Sequence, residues 1–496
     1  MKKVLCLILC LLMAVQTVWM PVSATAVEEP TDAVVETLPS AAGETAPQAE
    51  FGMATILNGC RTMDAQEPLG GSIRKLDTAV SAFVYERNTG TLVYAYNPDL
   101  KLQPGTLTKM VAAIVAIENG NLDAEVTISS RNYKYLPAGA KNAKLKEAEV
   151  MTLRDLLYCM FLEYANDAAV TIAEHISNSQ ESFVKKMNEW VQAIGCTNTH
   201  FSDCHGLGSE DMYVTARDLA RIVEEAMKNE DFRELFCAKA YTVPETNRSD
   251  ARKLKSSNYL IEETILPQFN YEGVTGGITH YSKTSGASLV CTAEKKGMSY
   301  TIVVLGCERV YNEKLSWQPI KYGNYEESWV LLDYAFDNYK ICRLLHEGQS
   351  MVQFPVAGGE NQVVAQTHAS EDAILPASAK LDNLILKYSV AGGGLTAPLE
   401  KDQNIANLQI WYQSSCIAEA ELYAMSPVRA VANLDLDIQG AASRDDSNFG
   451  HFLSFVGIVC LVLLVPLAIY LIVNHTRRLL ARSRRRRRRM GRRRSY

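Results

Sequence analysis

Residues 106–117 read Thr106-Leu107-Thr108-Lys109, then Met110-Val111-Ala112-Ala113-Ile114-Val115-Ala116-Ile117. The run has no polar face over two helical turns. A helix that is apolar all round has to be enclosed on every side, so this chain must build a layered domain around it. Thr106 and Lys109 stand three residues apart at its mouth. That spacing puts a hydroxyl and an amine one turn apart on the same face. An amine so placed can take the hydroxyl proton, the usual way a side-chain oxygen becomes a nucleophile.

The surrounding sequence says what could enclose such a helix. Residues 80–96 alternate apolar and polar about Asn88-Thr89-Gly90, a hairpin pattern. Helical periodicity follows over 106–118, 152–176, 180–194 and 215–228. A second hairpin is predicted over 288–292 and 300–305, turning at Lys295-Lys296-Gly297. Strands at both ends with helices between them predict an α+β domain, an antiparallel sheet covered by helices. A short helix over 326–338 leads to strand-length apolar segments with Gly and Pro turns over 345–437, predicted as a small β-sandwich.

The two ends place this body outside a membrane. Met1-Lys2-Lys3, an apolar run to about Met20 and Ala24-Thr25-Ala26 form a signal-peptide pattern over 1–26. Residues 27–70 are expected as a disordered linker, rich in Ala, Pro, Thr and Glu at first. The α+β domain is placed at 71–340, and 438–451 reads as a stalk. Residues 452–473 are apolar and uncharged, long enough for one transmembrane helix. Residues 474–496 carry twelve arginines. By the positive-inside rule this tail is cytoplasmic and the N-terminal ectodomain exported, with the arginines on anionic lipid headgroups. The net charge of −6 therefore hides a strongly acidic ectodomain, which argues against nucleic acid as a partner. Of twelve cysteines, nine lie outside the signal and membrane segments. Their scatter gives neither a metal spacing nor a disulfide framework. Cys196 and Cys204 are close enough to pair, but the preferred reading is of small buried apolar side chains.

Further motifs suggest a family. Pro104 to Lys109 is followed by Asn166-Asp167-Ala168-Ala169, Ala173-Glu174-His175, Asn198-Thr199-His200-Phe201, His205-Gly206-Leu207 and Thr215-Ala216-Arg217-Asp218-Leu219-Ala220. In that order, over roughly 70–430, the chain resembles the low-molecular-mass penicillin-binding proteins, the serine D-alanyl-D-alanine carboxypeptidases. The segment Ala397 to Gln403 is similar to a turn of that family's C-terminal β-domain. The resemblance implies a cell-surface hydrolase of peptidoglycan stem peptides that uses no cofactor and no metal. It also implies three chemical elements. A serine attacks the D-Ala-D-Ala carbonyl with a lysine as its base. A Ser-x-Asn motif relays a proton and holds a substrate amide. A Lys-Thr-Gly strand binds the terminal carboxylate.

This sequence departs from all three. Thr106 stands in the nucleophile position with Lys109 retained, and its extra methyl restricts χ1 and crowds the attack path. Tyr164-Ala165-Asn166 replaces Ser-x-Asn; Tyr164 either transfers protons or only fills the cleft, while Asn166 keeps its type. The strand motif has three candidate registers. The preferred one reads Gly273-Val274-Thr275-Gly276-Gly277-Ile278-Thr279, putting Thr275 in the lysine slot and Gly277 in the glycine slot, followed by a longer loop. A gapless register puts Ile278-Thr279-His280 there, with His280 meeting the carboxylate as imidazolium. A third uses Lys283-Thr284-Ser285. The expectation is a site of Thr106, Lys109 and Tyr164 with Asn166, Thr275 and Gly277 on the substrate. Catalysis is expected to be weakened, the alternative being a non-catalytic protein that binds wall peptide or a wall-synthesis partner. His175, His200 and His205 read as structural, and Asp167 as a helix brace.

Overall fold

A computed structural model of the chain describes residues 50–51, 63–64, 68–69, 75–129, 133, 136–208, 211–311, 319–390 and 393–431. The segments expected as signal peptide, stalk and transmembrane helix (1–26, 438–451 and 452–473), most of the expected linker and the arginine-rich segment 474–496 lie outside the described residues. Among the described residues no helix is long and apolar enough to cross a membrane.

Both predicted hairpins form. Strands β1 (Ser81–Glu86) and β2 (Thr91–Tyr96) pair antiparallel. Strands β3 (Val274–Ser282), β4 (Gly286–Lys295) and β5 (Met298–Cys307) complete one sheet in the order β2-β1-β5-β4-β3. The β4–β5 connection is two residues, Lys296 and Gly297, both at positive φ, the turn whose twist suits a tight hairpin. Strand β3 is an edge and carries one side of a cleft.

The helix at the centre is α1 (Thr108–Asn119), and its first ten residues are buried, as its uniformly apolar sequence demands. Around it lie α2 (Leu153–Leu162), α3 (Asn166–Ser177), α4 (Gln180–Ala193), α5 (Ala216–Ala226) and α6 (Glu230–Phe236). Local signals set several of their starts. Thr152 and Asp155 form a capping box at α2, and Ser179 and Thr215 accept from backbone N–H groups at the starts of α4 and α5.

The single helical pattern over 152–176 is corrected to two helices. The chain breaks at Glu163–Ala165, where Tyr164 adopts φ +57°. A left-handed aromatic residue costs on the order of 1–3 kcal/mol. The break turns Tyr164 and the start of α3 toward the cleft, which a continuous helix could not do.

Helix α7 (Gly323–Asn338) covers the other sheet face. Beyond it, Ser350–Phe354, Val363–Thr367, Leu384–Ser389, Asn404–Tyr412 and Ser415–Ala424 build a six-stranded sheet with the short strand Glu50–Phe51. Tyr339–Leu345 pairs with Glu371–Pro376, giving the expected C-terminal β-sandwich. Tyr300, Phe336, Phe354 and Leu408 belong to one continuous apolar core. Cys196 and Cys204 are buried free thiols. Cys416 is disulfide-bonded, so it stands apart from the small buried apolar thiols that the sequence reading preferred.

Candidate active site

The cleft has a volume of about 610 Å³ and lies between the start of α1, the α2–α3 break and the end of β3. Thr106 belongs to a short 3-10 turn, Gly105–Leu107, that runs into α1. Gly105 has φ +50°. Gly206 stacks so closely on it that a Cβ at Gly206 would lie 1.8 Å from the Gly105 carbonyl oxygen. Both turns therefore require glycine.

The wall on the helix side keeps its lysine firmly. The Lys109 amine donates to Asn166 Oδ1 at 2.7 Å and to the His205 carbonyl. Asn166 donates in turn to the Lys141 carbonyl at 2.8 Å. Lys109 is 1 % exposed, and burial lowers its pKa to about 8, against the pull of Asp203 and Asp167. An amine in that range is available as a proton acceptor near neutrality. His205 serves through its backbone, in a turn where Asp203 Oδ1 accepts from the N–H groups of His205 and Gly206. Asp167 braces the neighbouring loop by accepting from the N–H groups of Ala143 and Leu145.

The wall on the strand side is organised differently. Tyr164 OH accepts from the Thr279 backbone N–H at 3.1 Å and lies 2.9 Å from Thr279 Oγ1. Tyr164 is buried, and burial raises its pKa, so the phenol stays protonated. His280 Nδ1 is 3.1 Å from the Thr106 backbone N and 3.2 Å from Thr106 Oγ1, and Nε2 is 2.9 Å from Ser285 Oγ. Because the Thr106 N–H can only donate, Nδ1 carries the lone pair and Nε2 the proton. Burial and the Lys109 charge lower the His280 pKa to about 4. The imidazolium anticipated for the gapless register is therefore a neutral ring.

The structure brings together Thr106, Lys109, Tyr164 and Asn166 but places Thr275 and Gly277 elsewhere. Thr275 is the extra residue of a β-bulge between Val274 and Gly276, and its hydroxyl meets Thr292 Oγ1 at 2.7 Å. A Cβ on Gly277 would meet the Val290 carbonyl and Asn258, so that glycine serves sheet packing. The expected longer loop does not form. Strand β3 instead runs through Ser282, which pairs with Gly286, and Ser282 Oγ accepts from the Ser285 N–H. Thr279, His280, Tyr281 and Ser282 consequently line the cleft. Two cationic lining residues escaped the sequence reading. Arg309 stacks on the rings of Tyr281 and Tyr322 at 4.5 and 4.9 Å. Its Nε is buried without a hydrogen-bond partner among the described residues. Lys141 lies 4.9 Å from the Tyr164 ring. Neither sits in a local motif; only the long-range fold delivers them.

A family model for D-alanyl-D-alanine carboxypeptidase matches residues 71–309, and one for the C-terminal domain of penicillin-binding protein 5 matches 339–430. The D-alanyl-D-alanine carboxypeptidase of Streptomyces sp. strain K15 is 31% identical over 240 residues, covering 46% of this chain and 80% of that protein. The chain belongs to the D-alanyl-D-alanine carboxypeptidase family. The carboxypeptidase DacF of Bacillus subtilis strain 168 is 27% identical over 354 residues, 71% of this chain and 86% of its own. The crystal structure of penicillin binding protein 5 from Haemophilus influenzae superposes with a TM-score of 0.57 at 26% identity, covering 72% of this chain and all of that one. The family thus accounts for both domains of the described body.

Proposed function

We propose that the cleft takes peptidoglycan stem peptides ending in D-Ala-D-Ala, and that hydrolysis there is weakened. The observation that carries this reading is the Lys109–Asn166–His205 arrangement beside Thr106 at the floor of an open cleft. It is the arrangement needed to hold a base near a hydroxyl, and it costs desolvation that a purely structural lysine would not repay. Thr106 is the nucleophile position, Lys109 its base, and Asn166 fixes that amine. Tyr164 buttresses the strand rather than relaying protons, because its hydroxyl is engaged by Thr279. On the strand, the cleft-lining residues 279–282 supply no lysine. Arg309 is the cation for the substrate carboxylate, since its buried Nε has no hydrogen-bond partner among the described residues and a guanidinium binds carboxylate well. The threonine methyl and the missing strand lysine both lower turnover.

We place the protein at the cell surface, exported by 1–26, anchored by 452–473, with its arginine tail on the cytoplasmic leaflet. This rests on the apolar segments and the arginine asymmetry of the sequence. The test uses the full-length protein with a diacyl-lysyl-D-Ala-D-Ala peptide and a fluorescent penicillin. Peptide binding with little D-alanine release and slow acylation is expected. Rapid D-alanine release abolished by Thr106→Ala would overturn the weakened hydrolysis. Absence of peptide binding would overturn the cleft assignment.

A further inference from the structure

We infer that His280 is a self-blocking side chain. Its imidazole occupies the oxyanion position of the cleft, where the Ser282–Ser285 turn holds it, and it must swing away before an acyl group can reach Thr106. This rests on the proposed D-Ala-D-Ala cleft and adds to it what keeps the site closed.

In acyl transfer the developing oxyanion is held by backbone N–H groups at the nucleophile, and the nucleophile's own N–H is a natural donor. Here that donor is already committed: the Thr106 N–H points at His280 Nδ1 at 3.1 Å. The ring is close-fitting. A Cβ at Gly105 would lie 2.1–2.4 Å from three of its atoms, so the imidazole fills the space that glycine leaves open beside the nucleophile. No acyl oxygen can share that space.

The ring is also tethered from behind. Nε2–H donates to Ser285 Oγ at 2.9 Å, and Ser285 Oγ lies 2.6 Å from Ser282 Oγ. Ser285 N–H donates to Ser282 Oγ at 2.9 Å. Both serines lie at the β3–β4 turn and line the cleft. The tether is therefore made of half-buried hydroxyls at a hairpin tip, a segment that can move without disturbing the sheet. His280 also touches Thr106 Oγ1, which raises a rival role as the nucleophile's base. The single Nδ1 lone pair is shared between the Thr106 N–H and hydroxyl, and a ring in the oxyanion position excludes the substrate it would activate.

The experiment compares Thr106→Ser with Thr106→Ser/His280→Gly in the full-length protein, with serine restored so that the nucleophile is not limiting. Fluorescent penicillin acylation should rise on the order of a hundredfold on removing His280, the effect of regaining one oxyanion donor. Ser285→Ala in the same background leaves His280 in place and should give a smaller rise. Thermal melts confirm that each variant is folded. Equal labelling with and without His280, including none in either, overturns the proposal, and a fall in labelling assigns His280 as base instead. Binding of the diacyl-lysyl-D-Ala-D-Ala peptide is read separately. If acylation fails to rise while the peptide binds, the self-blocking role falls and the cleft assignment stands. If no variant binds the peptide, the cleft assignment falls.

Discussion

The helix wall and the strand wall of the cleft are built on opposite plans. On the helix wall each polar group serves another in a chain from Lys109 through Asn166 to the Lys141 carbonyl. That wall holds a base in a defined place. On the strand wall the polar groups are taken up mostly from across the cleft: Thr279 by Tyr164 and His280 by Thr106, with Ser285 behind the ring. That wall is closed against the other. A nucleophile scaffold is costly to keep, since it buries an amine, whereas a strand surface can be refilled by small changes in register. The difference teaches that the two halves of one catalytic site can be held by separate constraints, one preserved while the other is rebuilt.

Four measurements would break or sharpen that contrast. The largest effect is expected on the helix wall. Lys109→Met leaves Asn166 Oδ1 and the His205 carbonyl buried without their donor, and should cost about 3 kcal/mol in denaturant unfolding. A loss below about 1 kcal/mol would make that wall as replaceable as the other.

The second concerns acid. His280 titrates near 4 when folded and near 6.5 when unfolded. Between those values the unfolded chain binds the proton and the folded chain does not, so stability rises with pH across the window. The contribution is complete above about 6.5 and is lost as pH falls toward 4, on the order of 3 kcal/mol. His280→Asn should flatten the curve between pH 6.5 and 4; an unchanged slope would show that the ring is not buried neutral.

The third tests the strand wall directly. Tyr164→Phe removes the acceptor of the Thr279 N–H and should cost about 1 kcal/mol, with acylation little changed. A large loss of acylation at unchanged stability would return Tyr164 to proton transfer. The smallest stability change belongs to Thr106→Ser, within about 0.5 kcal/mol. Its acylation should rise only about tenfold or less while His280 remains; a larger rise would mean that the threonine methyl, not the strand wall, is the main obstacle.

What could be read from the sequence divides along the same line. The buried helix, both hairpins and the hydroxyl–amine spacing are local patterns, and the structure places them as expected. Thr106, Lys109 and Asn166 meet because the motifs that carry them are rigid and short. The strand register was legible only as one of three alternatives: the cleft takes Thr279 and His280 of the gapless register, because the bulge at Thr275 and the tight Ser282–Ser285 turn carry the preferred Thr275 and Gly277 away from it. The left-handed Tyr164 was hidden inside an unbroken helical pattern. Arg309 arrives from a segment more than two hundred residues after Thr106, and no local spacing announces such a neighbour.

Gly105 carries one more consequence. The imidazole of His280 fits only because residue 105 has no side chain, so the two positions constrain each other's mutational history. While the histidine is present, any replacement of Gly105 meets the ring as well as an unfavourable backbone. Once the histidine shrinks, the clash with the ring is gone and the backbone penalty remains. The glycine is thus locked in place twice, and the histidine once. A single substitution at 280 is then the short route by which a lineage could reopen this cleft, and a substitution at 105 is the one it could not reach first.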